Sequence, residues 1–266
     1  SEGEETPGST GLMPSLQLGS PFSLTSYVVY EEKSRSAPAG ESGGDLDNYP
    51  FGLKLQAYHG GTDWSLAFVK EVLYLGDGGS SIDGPADTYR RWYYLGGEVF
   101  TAWADGGLYA EMVCRLPGDN GRIDVSDEYE ADELIEAVTG VEYTLEGGTN
   151  LRAEYYFHGR GTADKDAYQP AGLLSGEIPM LGRDYLFAMV DRTFLDYLDV
   201  SLAGLCNLND GSFVLLPEIS YALRSNVQLT ASGIVPYGRK GSELDVRFEL
   251  YPGVLPGIDL VEGGMQ

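Results

Sequence analysis

Nearly every run of this 266-residue chain that could form regular structure alternates apolar and polar side chains with a period of two. Successive side chains on a strand point to opposite faces, so such a run has one apolar and one polar face. The stretch GVEYTLEGGTNLRAEYYF (140–157) is the clearest case. Before a Glu-Gly-Gly-Thr turn, Val141, Tyr143 and Leu145 oppose Glu142 and Thr144; after it, Leu151, Ala153, Tyr155 and Phe157 oppose Arg152, Glu154 and Tyr156. That is the pattern of a hairpin. About twelve runs of this kind follow one another with hardly any helix periodicity: 22–32, 51–59, 63–75, 89–103, 107–116, 134–145, 150–157, 184–194, 199–208, 212–223, 226–235 and 243–251.

The connections between the runs alternate in length. HGGT, ADG, EGGT, LDYL and RS are tight, and they fall at every second junction. Between them lie 33–50, 76–88, 117–132 and 158–183, all long, polar and rich in Gly, and then two shorter links, 209–211 and 236–242. Tight turns at one end and long polar loops at the other describe an up-and-down barrel of outer-membrane type, whereas structureless loops this long count against a compact soluble domain. The alternation alone also fits a soluble barrel or sandwich with its apolar face inside. Aromatics near strand ends favour the membrane, as interfacial girdles do: Tyr30, Phe51, Tyr58, Trp64, Tyr74, Trp92, Trp103, Tyr143, Phe157, Tyr185, Tyr221 and Tyr251.

Composition bounds the function. Lys+Arg 17 against Asp+Glu 41 gives a net charge of -24, which opposes binding to nucleic acid and simple adsorption to anionic lipid. No apolar run approaches the length of a spanning helix, and no signal peptide is present; a start at Ser1 rather than Met fits a processed form or a fragment. Cys114 and Cys206 lie in separate runs with no CxxC or CxxCH, and His59 and His158 each follow a strand, so no metal or haem site is expected and no cofactor is implied. There is no GxSxG, no HExxH and no phosphate-loop spacing, so no enzyme activity is expected.

On these features, and above all on the hairpin at 140–157 and the stretch DVSLAGLCNLNDGSFVLLPEISYALRSNVQLTASGIVPYGRKGSELDVRF, the chain resembles bacterial outer-membrane porin-type β-barrels over about residues 20–251. The resemblance implies an all-β fold, a transmembrane antiparallel up-and-down barrel with periplasmic short turns and extracellular long loops. About twelve strands lie in this chain, closing alone or within a larger ring. The expected division is a flexible acidic segment over 1–20, the barrel over 21–251 and a C-terminal tail over 252–266. Barrels of this kind usually end on an aromatic that the assembly machinery reads; here Phe248 and Tyr251 are followed by PGVLPGIDLVEGGMQ, so the recognised strand is internal or the tail is an addition.

The candidate functional residues are the polar-face charges, which a barrel would turn into its lumen. They are Lys54, Glu98, Glu111 and Arg115, then Glu136, Glu142, Arg152 and Glu154, and finally Glu218, Asp245, Arg247 and Glu249. Rings of charge set ion preference in a pore, and carboxylates outnumber cations here. The expected function is a passive outer-membrane channel for small solutes or ions, weakly cation-preferring, with lipid outside and its termini in the periplasm. The alternatives are a sleeve or scaffold for a periplasmic or lumenal partner, such as a multihaem cytochrome in a conduit, and a soluble β-barrel binding protein with an apolar pocket. In the sleeve, the charges pair across the wall and fill it. The acidic loop offers Asp119, Asp124, Asp127, Glu128 and Glu130 as Ca²⁺ ligands, but the spacing departs from an EF-hand and favours a solvated surface loop.

Overall fold

The computed structural model describes residues 10–30, 49–77, 87–119, 122–123, 133–170, 173, 178–224, 226–245 and 258–262. Among them are sixteen strands. In chain order these are β1 (Thr10–Leu12), β2 (Ser15–Gly19), β3 (Phe22–Tyr30), β4 (Phe51–His59), β5 (Thr62–Asp77), β6 (Asp87–Trp103), β7 (Gly106–Asp119) and β8 (Arg122–Ile123). They continue as β9 (Ile135–Leu145), β10 (Thr149–His158), β11 (Asp184–Phe194), β12 (Leu198–Asn207), β13 (Phe213–Arg224), β14 (Val227–Ser232), β15 (Val235–Tyr237) and β16 (Ile258–Glu262). All belong to one sheet of up-and-down antiparallel strands, ordered β1-β3-β4-β5-β6-β7-β9-β10-β11-β12-β13-β14-β16, with β2, β8 and β15 on β3, β7 and β13. Among the described residues no pairing joins the two ends of this path. Among the described residues no helix is long and apolar enough to cross a membrane.

The chain divides into two compact units, Ser1–Val99 with Met112–Glu130, and Phe100–Glu111 with Ala131–Gln266. In the first, Leu24, Leu55 and Leu66 stand side by side on β3, β4 and β5. The same apolar face carries ring pairs: Phe51 with Phe68 at 5.8 Å, Phe68 stacked on Tyr93 at 6.0 Å, and Phe22 edge-on to Trp64 at 5.9 Å. In the second, one register line crosses five strands through Val141, Ala153, Ala188, Gly204 and Leu215. The line beside it on the other face holds Glu142 and Arg152 and ends on Met189, Ala203 and Leu216. The period of two read from the sequence is therefore kept in register from strand to strand.

The apolar face is not covered. Leu66 is 55% exposed, Leu95 and Met112 54%, Leu202 43% and Ile219 51%. What is buried is largely polar: His158, Asn207, Ser212 and Glu243 are 0% exposed.

The tight turns follow hairpin geometry. Gly60 and Gly61 both have positive φ between His59 and Thr62, as do Gly147 and Gly148 after Leu145. The turn after β11 is closed by Tyr197 N–H donating to the Phe194 carbonyl at 3.3 Å, and its central residues, Leu195 (φ 55) and Asp196 (φ 59), are not glycine. An L-residue with a Cβ is strained there, and Asn-Gly is the pair such a turn favours. The double variant Leu195→Asn/Asp196→Gly is expected to raise stability by about 1–2 kcal/mol, measured as a shift in the urea unfolding midpoint.

Four expectations differ from the structure. Thr10–Leu12 and Ser15–Gly19, within the segment expected to be flexible, pair with β3. Ile258–Glu262, expected in the tail, pairs with Val227–Ala231 of β14; IDLVE is short, breaks the alternation at Leu260-Val261 and is flanked by Gly and Pro, so its pattern does not mark it. The twelfth strand expected at 243–251 is absent over 243–245, which form a helical turn with Glu243 and Leu244 buried; residues 246–251 lie outside the described residues. Finally, Trp92 and Tyr185, expected in an aromatic girdle, stand on the polar face, packed under Arg115 and within a hydrogen-bonded cluster respectively.

Candidate functional site

The polar face carries the candidate charges, while Lys70 and Arg192 stand on the apolar face over the rings of Phe51 and Phe194, and strand register decides which of the candidates meet. In the first unit, Lys54 of β4 ion-pairs with Glu98 of β6 at 2.8 Å, and Ser65 of β5 donates to the same Glu98 oxygen at 2.7 Å. Lys54 stands opposite Ala67, and Gln56 opposite Ser65, so Ser65 falls on the polar face beside Lys54. Further along the same β5 and β6, the Tyr94 hydroxyl donates to Glu71 at 2.7 Å. The Arg115 guanidinium lies 3.7 Å from the centre of the Trp92 ring, close enough for a cation–π contact.

In the second unit the pairs Glu142↔Arg152 and Gly140↔Glu154 line up across β9 and β10. Arg152 reaches Glu142 at 3.6 Å and Glu154 at 3.9 Å. The Tyr109 hydroxyl donates to Glu154 in a short hydrogen bond. Tyr109 can cross to Glu154 because Gly140 stands between them; any Cβ at 140 would collide with the Tyr109 ring. Glycine is needed here for space rather than for its φ. At the end of β10, Glu136 gathers the Tyr156 hydroxyl (3.0 Å), His158 Nδ1 (3.6 Å) and Arg160 Nη2 (3.5 Å). Two carboxylates differ from the rest. Glu111 and Glu218 are exposed, and among the described residues neither has a hydrogen-bond or ion-pair partner.

Where the long loops leave β10, β11, β12 and β13, a buried cluster covers the polar face. Glu243 accepts from the Leu181 N–H (3.0 Å), the Tyr185 hydroxyl (2.5 Å) and Asn207 Nδ2 (2.9 Å), while its own N–H donates to Asp210 (2.7 Å). Asn207 Nδ2 also donates to the Tyr168 hydroxyl (2.8 Å), and the Gly182 N–H donates to Tyr185 (2.6 Å). Burial pushes the Tyr168 hydroxyl above its ordinary range, so it stays protonated. The loop after β10 is held at its base by Thr162 N–H to the Leu181 carbonyl (3.0 Å) and His158 N–H to the Arg183 carbonyl (2.7 Å). Leu181, at the end of the loop after β10, and the distant segment 238–245 are thus fixed by one carboxylate over Tyr185 and Asn207.

No family model and no curated protein sequence matches the chain. Its functional reading therefore rests on this geometry.

The structure brings Lys54 together with Glu98, and Glu142 with Arg152 and Glu154. It puts Arg115 on Trp92 and Glu136 on His158 and Arg160, and leaves Glu111 and Glu218 single. Asp245, expected on a strand, lies in the helical turn at 243–245 instead, where Glu243 is drawn into the buried cluster and Leu244 is buried. Arg247 and Glu249 lie outside the described residues, as do Asp124, Asp127, Glu128 and Glu130 of the acidic loop; Asp119 ends β7. Among the described residues no group of three or more His, Cys, Asp or Glu could hold a metal ion. Cys114 and Cys206 are free thiols. Sequence reasoning missed Ser65, Tyr109, Tyr185, Asn207 and Glu243. Tyr109 and Tyr185 fall at polar-face positions by the period of two, which was the available signal; nothing local marks Glu243.

Proposed function

We propose that the sheet closes into an outer-membrane barrel and that its polar face lines a passive, weakly cation-preferring channel for small solutes or ions. The observation that carries this is the exposure of the apolar face. A soluble barrel would bury its alternate leucines; here Leu66, Leu95, Met112, Leu202 and Ile219 are about half exposed, while charged groups share the opposite face. The apolar run is long enough to cross most of a bilayer core. From Phe213 to Tyr221 the apolar positions of β13 span nine residues, about 26 Å along the strand at ~3.3 Å per residue, or about 20 Å of height at the ~40° tilt of barrel strands, against their ~25 Å apolar band. Aromatics bound the band: Tyr197 packs edge-on to Tyr221 at 5.4 Å near a tight turn, and Phe213 stacks on Tyr237 at 4.9 Å at the other end. Lipid requires closure, since unpaired backbone groups at a sheet edge find no partner there.

The ion pairs within the wall neutralise Lys54 and Arg152 locally, with one carboxylate of the Glu142–Arg152–Glu154 cluster in excess, so cation preference falls to that excess charge and to Glu111 and Glu218. Heat-modifiable migration on a detergent gel tests the barrel. Reversal potentials in a KCl gradient across planar bilayers test the channel. The variant Glu111→Gln/Glu218→Gln is expected to lower the K⁺/Cl⁻ permeability ratio by about two- to threefold, on a ring-of-charge argument. Identical reversal potentials would rule out those two residues as the source of selectivity.

The sleeve reading has its own support in the buried cluster around Glu243, which covers the polar face at one end of β10–β13. It differs from the channel in one measurement, the absence of conductance from a folded, heat-modifiable protein.

A further inference from the structure

One part of the polar face is not polar. Along β11, β12 and β13 two adjacent register lines bring Phe187, Leu205 and Val214 together, and next to them Met189, Ala203 and Leu216. None of the six is buried, and Leu216 is 37% exposed. The opposite face of the same strands is apolar too, with Leu186, Val190, Leu202 and Leu215. A strand apolar on both faces is what a sheet covered on both sides would have. The patch is about 10 Å across three strands and two side-chain rows deep, the size of one aromatic ring with a short alkyl arm.

Its border is acidic. The next row towards the tight turns is Asp191, Ser201 and Glu218, in register on the same three strands. Asp191 accepts from Asn150 Nδ2 at 2.8 Å, whereas Glu218 has no partner among the described residues. On β10, Glu154 stands opposite Phe187, and Arg152 opposite Met189. Among the described residues Arg152 is the one cation in register beside the patch, and it is turned to Glu142 and Glu154, at 3.6 and 3.9 Å. Leu216 and Glu218 are two residues apart on one strand, about 7 Å, a separation that an aryl ring, a two-carbon arm and an ammonium in contact with the carboxylate together span.

We propose that this wall of β11–β13 is a binding site for small organic cations with an apolar body, of the arylalkylammonium class: the body lies on Phe187, Met189, Leu205 and Leu216, and the ammonium faces Glu218. The inference rests on the polar face lining a water-filled lumen and adds the solute class to that reading. Neutral sugars and aryl carboxylates lack one of the two contacts and are disfavoured at this wall.

The test is binding of 4-fluorophenethylammonium to the protein in zwitterionic nanodiscs, followed by ¹⁹F NMR against empty discs. Saturable binding is expected, about tenfold tighter than that of 2-fluoroethylammonium and of 4-fluorophenylacetate. Met189→Ser/Leu216→Ser and, separately, Glu218→Gln should each weaken it about five- to tenfold, with the heat-modifiable gel shift kept as proof of folding; Glu146→Gln, in the exposed turn after β9, should leave it unchanged. If the serine variant does not fold, Glu218→Gln alone decides. No saturable binding beyond empty discs, equal binding of the carboxylate, or indifference to these substitutions overturns the proposal. Potassium conductance is measured separately. A protein that conducts without binding removes the solute site and leaves the channel; one that binds without conducting keeps the site and removes the open channel.

Discussion

Replacing Leu202 by Arg is expected to destabilise the protein in a lipid bilayer by about 2–4 kcal/mol, the cost of a cation on the lipid face of a barrel near the midplane. Leu202 lies in the middle of β12, opposite Val190 on one side and Pro217 on the other, and is 43% exposed. The same substitution on a water-facing surface would change stability by no more than about 0.5 kcal/mol, because an exposed leucine makes few contacts to lose. The two surroundings thus differ by several-fold in one number. Urea unfolding into and out of lipid vesicles, read by tryptophan fluorescence, measures it. Ala203→Arg is the companion: it shares the strand but faces the other way, so a lumen would tolerate it far better than lipid does Leu202→Arg. Equal, small effects at both positions would sink the membrane reading.

The alternation that made the strands legible also made their faces legible. Once β9 and β10 pair as Glu142↔Arg152 and Val141↔Ala153, a period of two leaves no freedom for the rest of either strand. Strand existence and facing were therefore readable from residues such as Leu151, Arg152, Ala153 and Glu154 alone. Contacts between strands were not. Tyr109 and Glu154 are 45 residues apart, and their meeting depends on β9 passing between them with a glycine at 140. Glu243 is harder still: it lies in ELDVRF, whose alternation matches a strand, yet its backbone turns helically and its carboxylate is taken by Leu181, Tyr185 and Asn207. Local pattern was overridden there by acceptors and donors brought from two loops. The apolar wall did leave a trace. Leu186-Phe187-Ala188-Met189-Val190 is five apolar residues without a break, a lapse of alternation that marks a strand apolar on both faces.

Glu243→Ala should have the largest effect on the long-loop end. The carboxylate is 0% exposed and accepts from three donors, the Leu181 N–H, the Tyr185 hydroxyl and Asn207 Nδ2. Alanine leaves all three without that acceptor, and each buried unmet donor costs about 1–3 kcal/mol, so the local cost is about 3 kcal/mol or more unless water enters. Water entry is itself an opening of the cluster. Either way the described parts of the loop after β10 and the segment 238–245 lose the group that fixes them to Tyr185 and Asn207 on the polar face. Trypsin cleavage of the folded protein at Arg160, Lys165, Arg239 and Lys240 should accelerate at least about tenfold, since protection from cleavage follows the free energy of local opening. In bilayers, single-channel conductance should rise if these segments narrow the lumen. Glu243→Gln separates charge from hydrogen bonding: its carbonyl still accepts, but its amide nitrogen now faces a donor, so one contact is lost and the effect should fall between wild type and alanine. Tyr185→Phe removes both the hydroxyl bond to Glu243 and the acceptor for the Gly182 N–H, and should resemble Glu243→Ala more than Glu243→Gln. Unchanged cleavage in Glu243→Ala would show that the two segments are held by something other than this carboxylate.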